Sequence, residues 1–233
     1  MAVVKSCSRQ ISVHNSFIAV IAALVVGLFV SSAHADRVIY TNGDTIPNPV
    51  IGDAVSGDLE FNANTANIEF SGAVNDVSSS IPTNFFATGE KQVWLRGSNL
   101  FTGVSTVECN ALAFKGNAAN VTITSAGFAG STKVAFESLN NSNAKNMSLV
   151  LTADSSQPQP FTGTFQINGQ SRLYFSSDAN LSAATLKLNS GASNNFTEAS
   201  FNMTAKTASF NSVTCENQYV RILNINSSKT LPI

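Results

Sequence analysis

Pairs of apolar residues separated by a single residue recur along this chain with almost no helical period between them, and a chain so patterned must fold as strands. The doublets are Leu59/Phe61, Ile68/Phe70, Val93/Leu95, Leu112/Phe114, Val121/Ile123, Val134/Phe136, Leu149/Leu151, Phe165/Ile167, Leu173/Phe175, Leu186/Leu188, Phe201/Met203 and Leu223/Ile225. Alternation with period two puts both members on one face of a strand and the residue between them on the other. Three doublets belong to a longer phrase: Leu59-x-Phe61-x-x-Asn64-x-Ala66-Asn67-Ile68, Leu112-x-Phe114-x-x-Asn117-x-Ala119-Asn120-Val121, and the shortened Leu173-x-Phe175-x-x-Asp178-Ala179-Asn180-Leu181. Strand, small polar turn and strand, repeated, predict a chain built by stacking similar units. The expected fold is all-β, a parallel β-helix or solenoid with irregular loops. A β-sandwich or jelly roll is the alternative.

The first 35 residues carry the zones of an export signal. Lys5 and Arg9 precede an apolar stretch from Phe17 to Val30, too short to span a bilayer comfortably, and Ala33-His34-Ala35 offers small residues where signal peptidase cuts. Cleavage is predicted after Ala35, giving a secreted, periplasmic or cell-surface protein with no integral membrane span in its mature form. His14 and His34 are the only histidines, and both lie inside this leader. The mature chain therefore lacks a His general base, a Ser-His-Asp or Cys-His arrangement and any His-based metal site. With Lys5 and Arg9 removed, the 14 acidic residues are in slight excess, which gives no electrostatic footprint for nucleic acid.

Residues 36–57 read as a turn-rich lead-in with one edge strand near Arg37 to Tyr40, residues 58–225 as a single solenoid domain, and residues 226–233 as a tail. Two longer interruptions are expected, Asn75 to Glu90 and Ala153 to Thr162. The second contains Pro158 and Pro160, which cannot donate to a ladder and so should leave the sheet.

Phe-x-x-Asn recurs as Phe61-Asn62-Ala63-Asn64, Phe114-Lys115-Gly116-Asn117 and Phe165-Gln166-Ile167-Asn168. It resembles the repeated motif of the polymorphic outer membrane proteins among the autotransporter adhesins. That resemblance implies a right-handed parallel β-helical passenger with a role in attachment at the cell surface. It assigns structural parts to Phe61, Asn64, Phe114, Asn117, Phe165 and Asn168. The Gly-Gly-Ala partner motif of that family is absent, so the resemblance is to the passenger alone. Physically, Phe would enter the stacked interior, and Asn at a corner would form ladders with its equivalents above and below.

Cys109 and Cys215 share a local frame, Val107-x-Cys109 and Val213-x-Cys215. In an oxidising compartment two cysteines usually pair. In a solenoid, however, they would sit several coils and at least about 14 Å apart, beyond the reach of a bridge, so the favoured fold predicts unpaired thiols. Asp44, Asp53 and Asp58 are scattered, and Glu60, Glu69 and Glu108 are expected on solvated strand faces. No catalytic residue, cofactor or metal is expected. Exposed aromatics are the candidate ligand contacts: Trp94 and Tyr174 on outward strand positions, Phe85 and Phe86 in a loop. They would stack on sugar rings, anchor a protein, or else cover a neighbouring strand. The expected function is a non-enzymatic, adhesin-like or envelope-associated repeat protein that meets a cell-surface protein or glycan and associates with itself through its strand edges. A carbohydrate-active enzyme or carbohydrate-binding module and a passive coat or matrix component are the alternatives.

Overall fold

The computed structural model describes residues 36–97, 99–116, 120–138, 145–168, 171–189, 199–202, 208–216 and 220–223. The expected leader, residues 1–35, and the expected tail, residues 226–233, lie outside them. Among the described residues there is no helix, and every ladder between named strands is parallel. The result is a β-solenoid of about six turns.

The chain visits three walls in a fixed order. Strand β1 (Val38–Thr41) lies on the first wall. The first full turn is β2 (Asp58–Asn62), β3 (Ile68–Phe70) and β4 (Val74–Asn75), on the first, second and third walls. The second is β5 (Asn84–Thr88), β6 (Gln92–Leu95) and β7 (Asn99–Leu100); the third is β8 (Val104–Val107), β9 (Ala111–Gly116) and β10 (Asn120–Ser125). The fourth is β11 (Gly127–Gly130), β12 (Lys133–Ser138) and β13 (Lys145–Leu151). Above it the second and third walls continue as β14 (Thr164–Asn168) and β15 (Ser171–Phe175), β16 (Ala179–Asn189) and β17 (Ala199–Asn202), and β18 (Ala208–Glu216) and β19 (Val220–Leu223). The first wall continues through Phe161 and the first residues of β16 and β18, where Ala179–Leu181 pair with Ala208–Phe210 ahead of a register shift.

Ten of the doublets, from Leu59/Phe61 to Leu186/Leu188, fall on strands and point inward; Phe201 and Leu223 lie on strands, and their partners Met203 and Ile225 are outside the described residues. On the second wall the stacks are Ile68, Val93, Leu112, Val134, Phe165 and Leu186, and beside them Phe70, Leu95, Phe114, Phe136, Ile167 and Leu188, all buried. Parallel pairing in register sets each apolar side chain on its equivalent one turn below, so the core is a column of contacts.

The long repeated phrase does not mark equivalent places in successive turns. Leu59/Phe61 lies on the first wall, Leu112/Phe114 on the second and Leu173/Phe175 on the third. The Phe-x-x-Asn motif is likewise out of phase. Phe61 is on the first wall; Phe114 stacks with Phe136 and Ile167, whereas Phe165 stacks with Val134. The phrase encodes a strand and a corner that serve on any wall.

The interruption at Asn75 to Glu90 contains β5. It escaped recognition because its inward pair is Phe85 and Ala87, and alanine is too small to make an apolar doublet. The excursion around Ala153 to Thr162 is real, and it ends by re-entering the core. Gln159 N–H donates to Asn180 O at 2.8 Å, its Oε1 accepts from Phe128 N–H at 3.1 Å, and buried Phe161 bridges Gly130.

The corner asparagines Asn42, Asn48 and Asn67 reach the backbone of the adjoining turn. Asn42 Nδ2 donates to Ala66 O at 2.7 Å and to Asn67 O at 3.1 Å; Asn67 Oδ1 accepts from Gln92 N–H at 3.0 Å; Asn48 Oδ1 accepts from Ala73 N–H at 3.0 Å. A short amide side chain thus satisfies corner groups that the parallel ladder leaves unpaired. Asn64 is exposed at its corner, and Asn117 lies outside the described residues.

Candidate functional site

The four candidate aromatics are not brought together. Phe85 is on β5 with its ring fully buried in the core, not in a loop. Phe86 faces outward on the first wall, Trp94 on the second and Tyr174 on the third, each half-buried. Tyr174 stands in register above Ser148.

Trp94 belongs to the richest outer surface. Along the second wall it is followed in register by Ala113, Ala135, Gln166 and Lys187, while a second row runs Lys115, Glu137, Asn168 and Asn189. The two alanines point outward yet are only 1 % and 2 % exposed, because longer neighbours stand around them. Lys115 Nζ lies 3.6 Å from the centroid of the Trp94 indole and 3.0 Å from Glu137 Oε2. Asn168 Nδ2 donates to Glu137 Oε1 at 2.7 Å, and Gln166 Nε2 donates to Asn168 Oδ1 at 2.5 Å. The indole N–H of Trp94 donates to Gln92 Oε1 at 2.9 Å. A line of ring, cation, carboxylate and amides thus crosses four turns, each group fixed by the next. Cation–π contact and charge-assisted hydrogen bonds hold these rotamers at little cost because the strands beneath are rigid.

A second cluster occupies the first wall. Arg37 Nη1 pairs with Glu60 Oε2 at 2.6 Å, and its guanidinium lies 3.7 Å from the Phe86 ring centroid. Thr88 Oγ1 donates to Glu60 Oε1 at 2.6 Å. Glu60 was expected to be solvated, but it is only 8 % exposed, covered by the groups that bind it. Burial pushes its carboxyl pKa up; the hydrogen bonds from Thr88 and Arg37 and the charge of Arg37 outweigh this and hold it below the ordinary glutamate range. Glu69 is exposed as expected and pairs with Arg96 Nη2 at 2.9 Å; Glu108 is exposed but sits at the corner after β8.

The remaining acids serve turns. Asp53 Oδ1 accepts from Val55 N–H and Ser56 N–H, and these bonds lower its pKa. Asp58 Oδ1 accepts from Asn84 Nδ2 at 3.0 Å, and Asp44 Oδ2 accepts from Thr41 N–H at 2.6 Å. Among the described residues no three His, Cys, Asp or Glu side chains converge as a metal site. Cys109 is buried and Cys215 exposed, and both are free thiols, as the solenoid requires. Burial pushes the Cys109 thiol up.

Trp94 and Tyr174 were readable as outward aromatics from alternation alone. Lys115, Glu137, Gln166, Arg37 and Glu60 were not, because partners come from neighbouring turns of unequal length. Those steps run from the short one between Val93 and Leu112 to the long one between Val134 and Phe165. Comparison with protein families, curated proteins and solved structures returned no significant match.

Proposed function

We propose that this chain is an exported, non-enzymatic β-solenoid that acts as an adhesin-like binding surface at the cell envelope, its ligand a glycan or a cell-surface protein. The supporting observation is the Trp94–Lys115–Glu137–Asn168–Gln166 line on the second wall. An aromatic ring, a cation and amide donors and acceptors stand half-buried on a rigid flat face, spaced by the strand repeat of about 4.8 Å. Such a face suits an extended partner lying along the axis, with ring stacking for affinity and amides for orientation. The carboxylates argue the same way. Glu60, Glu69, Glu137 and Glu216 are each ion-paired, an arrangement suited to holding side chains in place and not to moving protons. The apolar leader supports export, and the Phe-x-x-Asn resemblance supports the adhesin reading.

The test is saturable binding of the purified protein to cells and to arrayed glycans. Trp94→Ala and Lys115→Ala should each weaken binding at least about tenfold, the loss of a single well-placed aromatic or charged contact, with the far-ultraviolet circular dichroism unchanged. Cleavage of an acidic polysaccharide, abolished by substituting Glu137, would instead make the chain an enzyme. Absence of saturable binding to either would leave it a passive coat or matrix component.

A further inference from the structure

The lower end of the solenoid is closed on two walls and open on the third. Residues 42–50 run beneath the second and third walls. Asn42 bonds to the backbone at Ala66 and Asn67, Ile46 packs on the core, Asn48 holds Ala73 N–H, and Val50 bridges Val74 with hydrogen bonds at 2.9 and 3.0 Å. The edge strand of the second wall also carries a charge at its centre, Glu69. On the first wall the outermost layer is β1 itself, which among the described residues pairs with β2 alone. Its sequence, Val-Ile-Tyr-Thr, is uncharged. Ile39 is 53 % exposed, and Val38 and Tyr40 are only partly covered although both point to the core. An unprotected apolar edge beside two protected ones is the mark of an edge that is used.

We propose that two copies of this chain join head to head through antiparallel pairing of β1 with β1, making a two-fold dimer that continues the core across the junction. The occupant is a second copy because the strand is complementary to itself in the antiparallel register centred on Ile39. Inward residues must face inward residues on both sides, since a one-residue slip would turn Val38 and Tyr40 out to solvent. Setting Val38 opposite Tyr40 of the other copy meets that condition and brings Ile39 opposite Ile39 on the outer face. The most exposed apolar side chain of the strand is then covered by its own equivalent, and the half-covered pair gains its missing layer. Such a contact is isologous and closes at two copies. Stacking of one copy's upper end on another's lower end would instead grow without limit.

The experiment uses the protein purified after expression of the full chain, with Cys215→Ser to remove the exposed thiol. Light scattering should report a dimer that dissociates on dilution. Ile39→Lys should halve the apparent mass without changing the circular dichroism. Ile39→Cys should give a disulfide-linked dimer on mild oxidation, because directly opposed strand residues lie about 4.5–5.5 Å apart, within bridging distance. Val104→Cys, equally on the outer face of the first wall but three strands from the edge, should not cross-link. A monomer at every concentration overturns the proposal. So do assemblies that lengthen with concentration without an Ile39 cross-link.

Discussion

The lower and upper turns of the solenoid build the first wall differently: below, it is the separate strands β1, β2, β5, β8 and β11, and above, it is carried by the segment around Phe161 and by the first residues of β16 and β18. In the lower half, the first wall pairs through β11 and the aromatic contacts gather on it. Phe61 meets Tyr40, Phe70 and Phe85 edge-on at 5.8, 5.7 and 5.2 Å. Above β11 the first wall continues through the bridge from Gly130 to Phe161, the bond from Gln159 N–H to Asn180 O at 2.8 Å and the pairing of Ala179–Leu181 with Ala208–Phe210, and the aromatic hub shifts to the second wall. There Phe165 contacts Phe128 and Phe161 at 5.2 Å, Phe136 at 5.9 Å and Phe210 at 6.2 Å. A wall can thus be carried by short segments that run on into the next wall across a register shift, provided the core behind them stays filled.

Phe165→Ala should therefore be the most damaging single change. The buried ring touches four others, and its loss should cost about 3–5 kcal/mol in denaturant unfolding. Turns interact mainly with their neighbours, so the damage should also be uneven. Hydrogen exchange should show protection lost first from β14 to β18 and kept in β2 to β10. Equal loss in both halves would mean that the two regions are not separable.

Gly130 marks the seam between them. Its φ of +106° lies in the left-handed region, and a Cβ there would come within 2.2 Å of Val107 O, which is backbone and cannot swing away. Gly130→Ala should cost about 1–3 kcal/mol from the dihedral alone, with further loss as Val107 shifts. A neutral result would show that the bridge to Phe161 is dispensable.

The same contrast explains what could be read from the sequence. The second wall announced itself through β3, β6, β9, β12, β14 and β16, because each carries two large apolar residues inward. The first wall above β2 was hidden. β5 shows only Phe85 and Ala87, β8 Ser105 and Val107, and β11 is Gly-Phe-Ala-Gly. Small interior residues suffice there since Phe101, Phe161 and the facing rings supply the volume. The repeated phrase was visible, but its wall was not, since a strand with a polar corner fits any side of the triangle. The outer surface was legible only at Trp94 and Tyr174. Lys115 reaches the indole from the next turn, and no local pattern reports that proximity.

The first-wall cluster yields a smaller, pH-dependent effect. Glu60 has a folded pKa below its unfolded one, so the unfolded chain takes up the proton more readily. Its stabilisation is complete above the ordinary glutamate range and fades as the pH falls through the folded pKa. Glu60→Gln should remove about 1–2 kcal/mol at neutral pH and flatten the acid limb of the stability curve. An unchanged acid limb would mean that Arg37, which is itself 32 % exposed, is solvated well enough not to matter.

Thiol accessibility gives the smallest effect and the sharpest check on stacking. Cys109 is buried at the corner before β9, whereas Cys215 lies on β18 in register with Leu188 and is exposed. The two are four strand spacings apart along the second wall, roughly 19 Å at about 4.8 Å per strand, too far for a bridge. Once residues 1–35, which carry Cys7, have been removed, one thiol per chain should react quickly in the native protein and two after denaturation without reductant. Burial both hides Cys109 and keeps it protonated, so its native reaction should be limited by local opening near β9 and should quicken in Phe165→Ala only if the lower half loosens too. An intramolecular cystine between Cys109 and Cys215 would require the turns to fold back on one another, and the stacking of turns in register would fall with it.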